Sequence, residues 1–80
     1  MTPAQCRAAR ALIEMSQEQL AGHAVVPTSL IADFDAGNPG LPATEVKAIR
    51  RALEQAGVQF IDENGGGPGV RLRKGNATQS

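Results

Sequence analysis

A small, mainly α domain of four helices closed by a C-terminal two-stranded β-hairpin is the fold class this sequence predicts. Three observations carry it. Apolar residues recur at helical spacing through residues 3–56, Thr, Ser, Pro and Gly stand where helices start and stop, and strict alternation begins only after Gly57. Eighty residues hold one compact domain with one small core, because a chain this short buries only about 60–65% of the surface its unfolded form exposes.

Thr2 can cap a helix, Pro3 suits its first position, and Gln5 sits where a capping-box partner reaches back. This predicts a first helix over residues 3–15, with Ala8, Ala9, Leu12 and Ile13 inward, Cys6 on their flank, and Arg7, Arg10 and Glu14 nearer the rim. Ser16 and Gln19 repeat the capping signature, so a second helix starts at Gln17 and ends near Ala24. Pro27 lacks an N–H and disfavours helical geometry at Val26, which forces a turn. The third helix is expected over 28–36, with Leu30, Ile31 and Phe34 apolar and Gly37 as a left-handed C-cap.

Residues 38–42 form a turn-rich connector. Val46, Ile49, Leu53 and Ala56 then mark an amphipathic fourth helix over 43–55, with Lys47, Arg50, Arg51 and Glu54 outward and Gly57 as its stop. Residues 58–61 and 70–73 read as two strands around a glycine-rich loop, Val70 and Leu72 facing a core. An isolated hairpin is marginal in water, so it must lean on the helices or pair with a second chain. The organisation expected is a helical domain over 1–57, a hairpin extension and candidate dimerisation element over 58–73, and a flexible tail over 74–80.

Composition removes several function classes. Two Phe with no Trp or Tyr argue against base-stacking platforms and aromatic ligand cages. One cysteine, Cys6, and one histidine, His23, cannot build a Cys/His metal tetrad, and no carboxylate stands at a recognisable spacing to make them a catalytic pair. The run Gly65-Gly66-Gly67-Pro68-Gly69 lacks the Lys-Ser/Thr of a phosphate loop and reads as a hairpin connection. No enzyme activity, metal or cofactor is expected. No stretch approaches 18 apolar residues, so no membrane partner is expected and a reducing, cytoplasmic setting is.

Two short helices joined by a turn of about three residues define a helix-turn-helix, here over residues 17–36. Ser-Gln-Glu-Gln-Leu-Ala at 16–21 and Ile-Ala-Asp-Phe-Asp-Ala-Gly at 31–37 resemble the Cro/repressor (lambda-repressor-like, Xre) family. Ala21 sits where that family keeps a small residue, and Leu20, Ala24, Val26, Ile31 and Phe34 match its buried positions. The resemblance covers residues 3–57. It implies a bacterial or phage-type transcriptional regulator that reads the major groove of double-stranded DNA with the helix over 28–36.

Carried over by position, the resemblance implies Thr28, Ser29 and Asp33 as base-facing, and Gln17 as a phosphate anchor that braces the recognition helix. Asn38 and the backbone N–H groups at the start of the fourth helix would grip phosphate from the other side. Arg10 and Asp35 match a structural salt bridge between the first and third helices. A homodimer on two half-sites is implied as well. Val25 departs from the pattern: it stands where the family usually has Gly, and a β-branched residue at positive φ costs about 1–3 kcal/mol, so a rebuilt turn is expected.

The formal net charge of zero averages two unlike regions. Residues 16–39 hold Glu18, Asp33 and Asp35 and no Lys or Arg, while the other segments carry eight basic and five acidic residues. Lys47, Arg50 and Arg51 read as a solvated helix face, and Arg71, Arg73 and Lys74 either as phosphate contacts or as charges that keep a strand edge soluble. The acidic segment supports an alternative: a protein-interaction module, antiactivator-like or antitoxin-like, that holds a basic protein partner on its third helix.

Overall fold

Two complete capping boxes open the chain. Thr2 Oγ1 accepts from the Gln5 N–H at 3.0 Å while Gln5 Oε1 accepts from the Thr2 N–H at 2.8 Å. Ser16 and Gln19 repeat the exchange at 3.0 and 2.9 Å. Each box satisfies donors that a helix start leaves orphaned. In the computed structural model these boxes begin α1 (Pro3–Ile13) and α2 (Gln17–Ala24), followed by α3 (Thr28–Asp35), α4 (Ala43–Gln55), β1 (Val58–Ile61) and β2 (Gly69–Leu72). The described residues are 1–62 and 65–73; loop positions 63 and 64 and the tail expected over 74–80, with Lys74, lie outside them.

α1 ends two residues before its apolar pattern predicts. Glu14 adopts left-handed φ 53° and ψ 44°, its N–H reaching the Ala11 carbonyl, and the Met15 N–H reaches the Arg10 carbonyl at 2.9 Å. The buried stripe is also rotated from the expected one: Gln5, Cys6 and Ala9 are buried, whereas Ala8 is exposed and Leu12 is 42% exposed. The reason is the hairpin. α1 packs against both α3 and the strands, so the face it buries turns toward Gln5.

The turn between α2 and α3 is not rebuilt. Val25 itself takes the left-handed conformation, φ 58° and ψ 51°, with its side chain 87% exposed. The N–H groups of both Val25 and Val26 bond the Ala21 carbonyl, so backbone hydrogen bonds hold the valine where glycine would sit without strain. α3 stops as the sequence predicts, at Gly37 with φ 82° and its N–H on the Phe34 carbonyl.

One core gathers all six elements. Cys6, Ala9, Leu20, Ala21, Ile31, Phe34, Ile49, Ala52, Leu53 and Val58 are its buried members. In α4 Ala52 is buried beside Ile49 and Leu53, while Ala56, expected inside, is the exposed C-cap. β1 and β2 pair antiparallel, Val58 opposite Leu72 and Phe60 opposite Val70. β2 begins one residue earlier than predicted, and Arg73 follows it with its N–H on the Gly57 carbonyl at 2.7 Å.

The hairpin leans on α1 through one buried amide. Gln5 Nε2 donates to the Ile61 carbonyl at 3.2 Å and to the Gly69 carbonyl at 2.9 Å, fastening the loop end of the ladder. Val70 packs against the core, but Leu72 is 52% exposed and does not. The α1 residues beside β2, namely Ala4, Gln5 and Ala8, adjoin Pro68, Gly69 and Val70, which leaves Leu72 beyond their cover.

Candidate nucleic-acid interface

α3 has one buried and one open side. Ile31, Phe34 and Asp35 are buried, and Thr28, Ser29, Ala32, Asp33 and Ala36 are exposed along the opposite face. These exposed side chains are all short, and spacing of three and four residues places them on one stripe. Thr28 and Ser29 occupy its first turn. Pro27 is the N-cap and makes no side-chain cap hydrogen bond, and Pro42 begins α4 in the same way. Helix starts of this kind present backbone N–H donors and a partial positive charge to whatever lies beyond them.

Asp35 fixes the orientation of that face. Its Oδ2 accepts from Arg10 Nη2 at 2.5 Å and from Gln17 Nε2 at 3.0 Å, so α1 and α2 both hold the end of α3. The Arg7 guanidinium donates to the Asp35 carbonyl from the same face of α1. Arg10 and Asp35 thus form the ion pair the sequence places between them, with side chains 18% and 8% exposed. Gln17, expected both to brace α3 and to anchor phosphate, commits its Nε2 to the brace. Asn38 Nδ2 donates to Asp33 Oδ1 at 3.2 Å, so two residues assigned to different surfaces by sequence share one exposed corner after the end of α3.

Cys6 lies against this cluster. Burial first, then the hydrogen bond and negative charge of Asp35, push its thiol from 9.0 up to about 12, with Arg10 opposing. A thiol held this far from ionisation is a small apolar packing group, not a nucleophile. His23 is exposed in the last turn of α2, while Cys6 is fully buried in the core.

The basic residues divide by what they touch. Arg50 is held by Glu54 at 3.1 Å and lies 5.1 Å from the Phe60 ring centroid, Arg71 Nε donates to Gln59 at 3.0 Å, and Arg73 Nη2 donates to the Glu54 carbonyl at 3.1 Å. Lys47 and Arg51 are exposed one turn apart on the outer face of α4. Sequence reasoning missed Gln5 and Arg7. Arg7 left a signal, standing three positions before Arg10 on one helix face; the second role of Gln5 was hidden behind its capping role.

Among the described residues no three metal-ligating side chains converge, and no helix is long and apolar enough to cross a membrane. No model of a known protein family matches the chain, and no curated protein matches it.

Proposed function

We propose that the chain is a sequence-specific DNA-binding transcriptional regulator that acts as a homodimer and lays α3 in the major groove. The observation that carries this reading is the contrast among helix starts: α1 and α2 are closed by full capping boxes, whereas α3 begins uncapped with Thr28 and Ser29 exposed in its first turn. Ser and Thr hydroxyls suit base edges of either kind, and the free oxygen of Asp33 suits a cytosine amine. Uncapped N–H groups at the starts of α3 and α4 suit phosphate oxygens; the resemblance adds Gln17 and Asn38, which lie near the end of α3 through Asp35 and Asp33. The Arg10–Asp35 pair cancels one of the three negative charges that would otherwise oppose DNA.

The test is titration of the full chain against DNA from upstream of its own gene at increasing salt. A saturable, sequence-dependent complex whose log affinity falls linearly with log salt upholds the reading, and absence of a complex at low salt overturns it. Ser29→Ala should relax discrimination at one base pair, by about 1–3 kcal/mol.

One observation favours a second reading. The exposed stripe of α3 carries Asp33 and short neutral side chains, and residues 16–39 hold no Lys or Arg, a surface suited to a basic protein. Failure to bind DNA together with salt-sensitive capture of a basic protein partner would establish this interaction module instead.

A further inference from the structure

The left-handed turn at Gly37 brings the chain back over the last turn of α3. Gly37 has φ 82° and its N–H bonds the Phe34 carbonyl at 2.9 Å, while the Asn38 N–H bonds the Asp33 carbonyl at 3.0 Å. These two bonds make a Schellman motif, which sets the residue after the glycine beside the residue that begins the last helical turn. An apolar contact commonly joins those two positions. Here both are exposed and polar, and Asn38 Nδ2 donates to Asp33 Oδ1 at 3.2 Å. Asn38 is thus bonded to Asp33 twice, once through the backbone and once through the side chains.

We infer that Asn38 is a positioning residue: its amide holds one oxygen of the Asp33 carboxylate so that the other is aimed at the amine of a cytosine in the major groove. This rests on the DNA-binding reading above, and it gives Asn38 a task other than the phosphate contact that the resemblance implies. Asp33 stands one turn after Ser29 on the exposed stripe of α3. A carboxylate only accepts, so at a base edge it suits cytosine N4. Guanine O6 and N7 and thymine O4 repel it, and adenine sets its N7 acceptor beside its amine.

Rejection of the wrong base depends on where the oxygen is held. A carboxylate free to turn swings away from an opposing acceptor, and ordering it on binding costs affinity. No Lys or Arg lies within residues 16–39 to hold it, and a cation would also cancel the charge on which the rejection depends. A neutral amide orders the group and leaves its charge. Asp35, two residues on, shows the contrast: its carboxylate is buried and neutralised by Arg10.

Two measurements on the full chain test this, the first without DNA. In the free chain the Hα–Hβ couplings of Asp33 should report one χ1 rotamer. Asn38→Ala keeps the backbone N–H of the motif, so it should average those couplings while helix content and thermal midpoint stay near wild type. The second measurement is binding to the preferred site in DNA from upstream of the gene and to copies with each base pair replaced in turn. Asn38→Ala should lose about tenfold in discrimination at one C·G pair, the pair at which Asp33→Ala also loses its preference, with affinity for nonspecific DNA unchanged. The double variant should discriminate no worse than Asp33→Ala alone. Averaged Asp33 couplings in the wild-type chain, an equal loss on every DNA sequence, or a loss that persists in the Asp33→Ala background overturns the proposal. A chain that forms no complex although Asp33 is held in one rotamer overturns the operator reading itself, and the cytosine role falls with it.

Discussion

Arg10 and Asp35 meet across twenty-five positions of sequence, Nη2 to Oδ2 at 2.5 Å, and tie α1 to the last residue of α3. A buried ion pair contributes little net stability over an apolar pair of the same shape, but removing one partner strands the other charge out of water. Asp35→Ala should therefore lower the unfolding free energy by about 3–5 kcal/mol. The Arg10→Ala, Asp35→Ala double variant should lose clearly less than the sum of the single losses. Urea titrations that return additive losses would show that the two residues do not act as a pair.

Gln5 is a second long-range fastener. Its amide closes the α1 cap through Oε1 and the hairpin through Nε2, leaving no donor or acceptor idle in a buried site. Gln5→Leu keeps the shape and removes those bonds, and at about 1 kcal/mol each it should cost about 2–3 kcal/mol. Amide hydrogen exchange should rise in β1 and β2 before it rises in α2 and α4. Equal acceleration everywhere would mean that Gln5 stabilises the whole domain and not the hairpin junction.

Val25 holds a conformation that suits glycine. With φ 58° and the side chain almost wholly in solvent, its strain is not offset by burial. Val25→Gly should raise stability by about 1 kcal/mol, relief of strain outweighing the extra freedom of the unfolded chain. A thermal midpoint that falls on this substitution would refute the strain assignment.

The Cys6 thiol gives the chain an alkaline limit. Its folded pKa of about 12 exceeds its unfolded value of 9.0, so below pH 9 both states keep the proton and the contribution is fully present. Between those values the unfolded state loses its proton first, and stability falls with rising pH by up to about 1.4 kcal/mol per unit. Cys6→Ala should flatten this decline in urea midpoints measured from pH 8 to 11. The native thiol should also resist alkylation at pH 8 until the chain is unfolded, and rapid native labelling would contradict its burial.

The helices were legible because their punctuation is local. Thr2 with Gln5, Ser16 with Gln19, Pro27 and Gly37 act within four residues, and reading them in order yields the starts of α1, α2 and α3 and the stop of α3, while α4 follows from its apolar period. The candidate site was half legible. Exposure of Thr28, Ser29 and Asp33 follows from the helical period, and Arg10–Asp35 came from a resemblance; the meeting of Asn38 with Asp33 and the use of Gln17 Nε2 on Asp35 had no local signal.

Sequence by itself determined four helices, the first two opened by capping boxes, a switch to strands after Gly57, and a split of charge that leaves residues 16–39 acidic. Tertiary structure alone decided which face of α1 is buried, that Gln5 fastens both strands, and that Leu72 stays uncovered while Val58 enters the core. The physical reason is range. Caps and turns depend on backbone groups a few residues away, whereas burial depends on which distant element arrives. A polar Gln5 displaces Ala8 from the inside because two strand carbonyls, fifty-six and sixty-four positions away, are there to accept its protons.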